Sequence, residues 1–304
     1  MSKRAKLCLV LGGGGARGLA HLGVLRVLER EGIGVDCVIG TSVGAVVGAC
    51  YAVNPDALSE TRRALAYFNS EAFSGNAFKK VFLKSEDVEQ NFLSSLFSSI
   101  KKSYVFSNLL RKKAIFPGEK LYEVISDLVP DKEFSDTKIP LAVPVLDIQS
   151  GEEVILTEGS LRSAVYASCS LPGFFPPVEH QGRLLADAGV IGPVPVSAAH
   201  ELFEPTTAVA VDITSTLESM ESLDSGLDVI LRVESIAGSR LNALELEKAD
   251  VVITPDVGTK YWSDFSGFEE LINEGVLAAE TELYNIKAAI SRHHRRSFFW
   301  SRLA

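Results

Sequence analysis

Leu9-Val10-Leu11-Gly12-Gly13-Gly14-Gly15-Ala16-Arg17-Gly18 and, further on, Val38-Ile39-Gly40-Thr41-Ser42-Val43-Gly44 are two apolar runs that each break into a glycine-bearing turn. The first is expected to be a strand, Lys6 to Leu11, feeding a nest of backbone N–H groups at a helix start, where an oxyanion can be held. The second is a G-x-S-x-G turn that lifts a serine hydroxyl clear of its strand, where it can attack a carbonyl. Acyl transfer needs both parts.

Working outward, Ala16 to Glu31 carries Leu19, Leu22, Val24, Leu25 and Leu28 at helical spacing and is stopped by Gly32 and Gly34. Cys37 to Ile39 is a short second strand. The helix after Ser42 is small-sided, with Gly44, Ala45, Gly48 and Ala49, so it can lie close to a sheet. Strand, helix, strand, helix implies an α/β fold with a parallel sheet and right-handed crossovers. Further strands are expected at Pro140 to Asp147, with Pro144 marking an edge or bulge, and at Glu153 to Thr157. Arg183 to Ala186 is expected to run as a strand into Asp187, with later strands at Thr207 to Ile213 and Val251 to Thr254. Leu161 to Cys169 and Phe268 to Ile290 have helical periodicity, and the basic residues from His293 to Arg296 end the latter helix.

The 304 residues are 46% hydrophobic and 23% charged, enough for one elaborated domain spanning 1–304. A net charge of -9 gives no global support to nucleic-acid binding. Cys8, Cys37, Cys50 and Cys169 lack metal-ligand spacing and are expected to be reduced, buried thiols. No apolar run approaches the ~18 residues of a membrane span, and the apolar run after the basic start is too short for a signal segment. A cytoplasmic location is expected, with peripheral contact at the inner membrane face.

Residues 68–116 differ in texture. Eight of the sixteen phenylalanines fall there, from Phe68 to Phe116, among eight basic and four acidic residues. A helical insert touching anionic membrane is expected, with phenylalanines in the interface and lysines on phosphates. The competing expectation is that these rings form the insert's own core.

Gly13-x-Gly15-x-x-Gly18 also satisfies a dinucleotide fingerprint, which requires an acidic residue at the far end of the second strand. Asp36 stands at that strand's start instead, and no Gly-Lys-Ser/Thr follows the glycines, so nucleotide chemistry is disfavoured. Ser42 needs a base. His21 falls within its helix and is expected to pack or cap there, while His180 is expected in a surface turn. Ser42, Asp187 and His200 would suit a triad only if His200 projects toward Ser42. Asp187, at the C-terminal end of a strand, is the better base acting directly. Its bland alternative is a turn-forming aspartate. Arg17 is expected to orient the glycine loop or attract an anionic head group.

The glycine loop with Arg17, Gly40-Thr41-Ser42-Val43-Gly44, Ala167-Ser168-Cys169-Ser170-Leu171-Pro172-Gly173-Phe174-Phe175-Pro176-Pro177, and Asp187-Ala188-Gly189 with Pro193-Val194-Pro195-Val196 resemble, in order and spacing, the patatin-like phospholipases. The resemblance is closest to the bacterial branch related to neuropathy target esterase. It covers residues 6–215, and 249–279 resembles that branch's C-terminal region. It implies a three-layer α/β/α fold with a mainly parallel central sheet, a helical insert at about 68–116 and a helical extension at about 265–304. It also implies hydrolysis of phospholipid or lysophospholipid esters by Ser42 as nucleophile and Asp187 as base. Gly13, Gly14 and Gly15 would form the oxyanion hole, with Gly12, Arg17, Gly18, Gly40, Gly44 and Gly189 supporting the motifs. Neither metal nor cofactor is implied. Ala188 and Gly192 depart from the usual glycine and asparagine, and motivate an alternative: a catalytically weak lipid-binding or regulatory protein on the same fold.

Overall fold

In a computed structural model the described residues are 7–70, 73, 114–204, 207–214, 217, 219, 223–258 and 267–300, with no side-chain description for 227 and 293–300. Strands β1 (Leu7–Leu11), β2 (Cys37–Gly40), β3 (Leu141–Asp147), β4 (Glu153–Leu156), β5 (Val178–His180), β6 (Arg183–Asp187), β7 (Thr207–Val211) and β8 (Val251–Ile253) form one sheet. Its order is β5-β6-β3-β2-β1-β7-β8, with β4 paired to β3. The run from β3 to β8 is parallel, as expected from the alternation of strands and helices. β4, β5 and β6 join antiparallel.

Both faces of the sheet are buried because the parallel strands are apolar throughout. In β1, Leu7, Leu9 and Leu11 enter the larger core, and Cys8 and Val10 enter the smaller one. Over the larger face lie α1 (Leu19–Arg30), α2 (Val43–Val53), α3 (Ala57–Phe68), α4 (Gly118–Leu128), α5 (Leu161–Ser168) and α8 (Phe268–Trp300). Over the smaller lies α6 (Val196–Phe203), joined by Leu246 at the end of α7 (Gly226–Leu246). This is the expected three-layer α/β/α arrangement. α8 runs beyond the expected Ile290 to Trp300.

α1 ends as its sequence requires. Gly32 takes φ 67, and the N–H groups of Gly32 and Ile33 donate to the carbonyls of Glu29 and Leu28 at 3.0 and 2.8 Å. This double closure needs a left-handed residue after the last turn.

β3 explains how the fold makes room for a site. Successive N–H and C=O groups of a strand point to alternate edges, and its even-numbered groups serve two neighbours in turn. Val38 donates to the Pro140 carbonyl at 2.9 Å on β2, whereas Ile148 donates to the Leu184 carbonyl at 3.0 Å on β6. β2 and β6 therefore share one edge of β3, approaching end to end, and Pro144 sits in the gap between them, where no ladder donor is needed. The edge or bulge expected at Pro144 gives way to this gap inside the sheet.

Most of segment 68–116 lies outside the described residues, and its expected helices with it. Phe68, Phe73 and Phe116 are described, and they face inward. Phe73 is 1% exposed and lies 5.0 Å ring to ring from Phe68. Phe68 stacks on Phe268 at 5.0 Å, and Phe116 lies 5.9 Å from Phe175. For these rings, packing against the core replaces the expected place in a membrane interface.

α8 docks on α1 through backbone contact. A Cβ at Gly275 would stand 1.9 Å from the Ala20 carbonyl oxygen. Gly275→Val is expected to push α8 off α1 and to destabilise by about 1–3 kcal/mol, seen as a lower urea midpoint with unchanged m.

Candidate active site

The glycine loop after β1 is pinned at several points. Gly12 N–H donates to Val211 O at 3.1 Å and Gly13 N–H to Pro193 O at 2.9 Å. His21 Nε2 donates to Gly12 O at 2.8 Å, and Arg17 Nε to Gly14 O at 3.0 Å. Gly15 takes φ 61, which turns the chain into a short 3-10 turn, Gly15–Gly18, ahead of α1. The N–H groups of Gly14 and Gly15 have no acceptor among the described residues. Sequence reasoning grouped Gly13 with them, but its N–H is spent on Pro193 and steadies the loop. The loop lies beside the serine, since a Cβ at Gly13 would be 3.5 Å from Ser42 Cβ.

Ser42 itself sits at φ 55, ψ -122, a strained conformation for a residue with a Cβ. Thr41 N–H donates to Leu11 O at 3.1 Å, while Ala45 and Val46 donate to Ser42 O at 2.9 and 3.2 Å and start α2 at once. The turn is this sharp only because Gly44 lacks a Cβ, which would stand 2.1 Å from Leu11 O. Ser42 N–H donates to Ser168 Oγ at 2.9 Å, and Ser168 Oγ donates to Pro144 O at 3.1 Å. The gap in the β3 edge is thereby filled by a side chain that holds the serine turn.

β6 delivers Asp187 to the same place. Its N–H donates to Ser170 O at 3.0 Å, Oδ1 accepts from Gly189 N–H at 2.7 Å, and the carboxyl lies close enough to Ser42 to feel its hydroxyl. Asp187 is 4% exposed. Burial pushes its carboxyl up to about 6, against the opposing pull of nearby Ser42 and of the Gly189 N–H bond. Ala188 has no positive φ and is fully buried, and a Cβ at Gly192 would meet nothing within 4 Å. Ala188 therefore holds the Asp187 turn without left-handed strain.

The other candidates lie elsewhere. His200 Nε2 donates to Lys248 O at 3.0 Å and does not border the cavity, so the triad does not assemble. His180, at the end of β5, is also absent from the cavity wall. Asp36 accepts from Leu7 N–H at 2.9 Å at the start of β1, opposite the glycine loop, which removes the dinucleotide alternative. Arg17 is 8% exposed, and its bond to Gly14 O gives it the loop-orienting role. Burial lowers it to about 10, opposed by nearby Asp212. Among the described residues no three His, Cys, Asp or Glu converge as metal ligands do. The four cysteines are free thiols; Cys8, Cys37 and Cys50 are buried as expected, whereas Cys169 is only half-buried, on the cavity wall.

Ser42, Asp187 and the loop border a cavity of about 480 Å³. One lobe is apolar, walled by α1, α2, α3 and α4 through residues such as Leu22, Val46, Ala64, Leu121 and Ile125. The other, beneath α7, is polar, with Thr214, Glu234, Ser235, Ser239 and Asn242. Ser168, Cys169 and His21 support the site without standing out in the sequence as site residues. Cys169 lines the cavity, and burial with nearby Asp187 pushes its thiol up. The Ala167–Pro177 motif was the signal for the first two residues, and nothing local marked His21.

A family model described as patatin-like phospholipase matches residues 9–200. Patatin-like phospholipase domain-containing protein ZK370.4 of Caenorhabditis elegans is 33% identical over 248 residues, 79% of this chain and 16% of that protein. The uncharacterized NTE family protein Mb1092c of Mycobacterium bovis is 28% identical over 214 residues, covering 70% of this chain and 49% of its own. The chain thus spans half or less of these relatives. The crystal structure of VipD from Legionella pneumophila aligns with 96% of this chain and 67% of its own at a TM-score of 0.46 and 15% identity.

Buried His21, lowered from 6.5 to about 4, sets a pH dependence of stability. Between those values only the unfolded chain takes up the proton, so stability is full above pH 6.5 and falls as pH drops toward 4, by about 3 kcal/mol in total. Asp187, raised from 3.8 to about 6, has the opposite sign, because there the folded chain alone takes up the proton. In an Asp187→Asn background, urea unfolding is expected to weaken steadily from pH 6.5 to 4, and His21→Gln to flatten that slope.

Proposed function

We propose that this chain, which belongs to the patatin-like phospholipase family, is a serine acyl hydrolase cleaving ester bonds of phospholipids or lysophospholipids. The carrying observation is the convergence on one cavity of Ser42, the glycine-loop N–H groups and a buried carboxyl, Asp187, whose affinity for protons is raised toward neutrality. A carboxylate near its ordinary value would be a weak base at pH 7, and one near 6 is better matched to the task.

In this mechanism Ser42 Oγ attacks the ester carbonyl carbon as its proton passes to Asp187. The carbonyl oxygen becomes an oxyanion held by the N–H groups of Gly14 and Gly15. Gly13 completes the hole by fixing the loop rather than by donating. Collapse breaks the carbon–oxygen bond to the alcohol, which leaves with the proton from Asp187. Water then attacks the acyl-serine, giving its proton to Asp187, and the second collapse frees the fatty acid and returns the proton to Ser42. The apolar lobe takes the acyl chain and the polar lobe the rest of the lipid. The undistorted turn at Ala188 favours this reading over a catalytically weak lipid-binding protein.

Ser42→Ala and Asp187→Asn are each expected to lower kcat by roughly 10⁴ or more, the former abolishing labelling by a fluorophosphonate and the latter strongly slowing it. An unlabelled parent chain would favour the binding protein. Below about pH 6, kcat/KM is expected to fall tenfold per unit as Asp187 takes up a proton.

Contact with an anionic membrane at the cytoplasmic face belongs to the same proposal. It rests on the basic residues of 68–116, since the described phenylalanines there are packed inward. Sedimentation with anionic liposomes at low salt, lost at high salt, is the expected result.

A further inference from the structure

The apolar lobe ends on a polar wall. Along α2 the residues bordering the cavity are Val43, Val46, Val47 and Cys50, one face of the helix. At 1.5 Å per residue, Cys50 lies about 12 Å along the helix from Ser42. There the lining changes character. Cys50 Sγ donates to Leu128 O at 3.4 Å, and Arg63 Nη1 donates to the same carbonyl. Arg63 Nε and Nη2 donate to Glu60 Oε2 at 2.9 and 2.6 Å, and Asn54 Nδ2 donates to Glu60 Oε1 at 3.1 Å. Glu60 and Arg63 both border the cavity. The Glu60 side chain is 7% exposed and that of Arg63 41%, so the pair spans from the buried lining to solvent.

We infer that the Glu60–Arg63 pair is the ruler that sets acyl-chain length in this site. The inference rests on the acyl-hydrolase reading and adds a specificity-determining residue pair to it. Each methylene laid against the apolar wall should improve binding about fourfold. A methyl group that reaches the pair gains nothing comparable. It must strip water from an ion pair whose donors and acceptors are already matched, and it supplies no polar partner in return. An extended alkyl chain advances about 1.3 Å per carbon, from tetrahedral C–C bonds near 1.5 Å, so 12 Å holds about nine carbons. Arg63 is the exposed member, and trimming it would open the end of the lobe to solvent and let a longer chain pass.

The test measures kcat/KM of the full chain for a series of p-nitrophenyl esters from four to sixteen carbons, all below their critical micelle concentrations. The parent profile is expected to rise with each methylene and to break near nine or ten carbons. In Arg63→Ala, and in Glu60→Gln/Arg63→Ala, which leaves no unpaired buried carboxylate, the break is expected to move out by at least two carbons. Val46→Phe, placed half-way along the lobe, is expected to move it inward. A break at the same length in all variants, or a parent profile without one, would overturn the ruler while leaving the hydrolase standing. Failure of the parent chain to hydrolyse any ester would overturn the acyl-transfer reading and the ruler together.

Discussion

Two strands meeting end to end on one edge of β3 create the constraint on which the site depends. β2 and β6 cannot both pair with β3 at Pro144, and the residue there offers no N–H to leave orphaned. Into that gap Ser168 places a hydroxyl that accepts from Ser42 N–H and donates to Pro144 O. A parallel strand rising from below thus ends at the serine, an antiparallel strand descending from above ends at the aspartate, and one hydroxyl joins the seam. Sequence-distant groups meet there because the sheet changes direction, not because a long loop carries them.

The chemistry follows from how dry that seam is. Burial acts on Asp187, His21 and Arg17 in the directions that oppose charge, raising the acid and lowering the two bases. His21 is kept neutral and spends Nε2 on the loop carbonyl of Gly12. Arg17 remains a cation, with Asp212 nearby and its Nε on Gly14 O. In the proposed mechanism Asp187 alone of the three takes the serine proton, which makes its raised proton affinity a working property there and not merely a cost of folding.

Much of this was legible in the residues. The glycine runs placed both turns, the small-sided helix announced close approach to the sheet, and Asp187 stood where strand ends carry working groups. What local patterns could not carry is pairing direction. Arg183 to Asp187 has the same apolar texture whether it runs parallel or antiparallel, so the head-to-head meeting of β2 and β6 was hidden. Ser168 stands within a recognisable motif, yet nothing near it in sequence indicates Pro144 as its partner. The triple-glycine hole was read from residue type alone, whereas Gly13 is distinguished from Gly14 and Gly15 only by Pro193, far along the chain. Glu60 and Arg63 look like an ordinary i,i+3 surface pair until the fold sets them against the end of a cavity.

The positive φ of Ser42 also restricts what the position can hold. A left-handed backbone with a helix starting on the next residue leaves no room for a branch at Cβ. Threonine would offer the same oxygen and be refused by its methyl, so the backbone itself holds the proposed nucleophile to a primary alcohol.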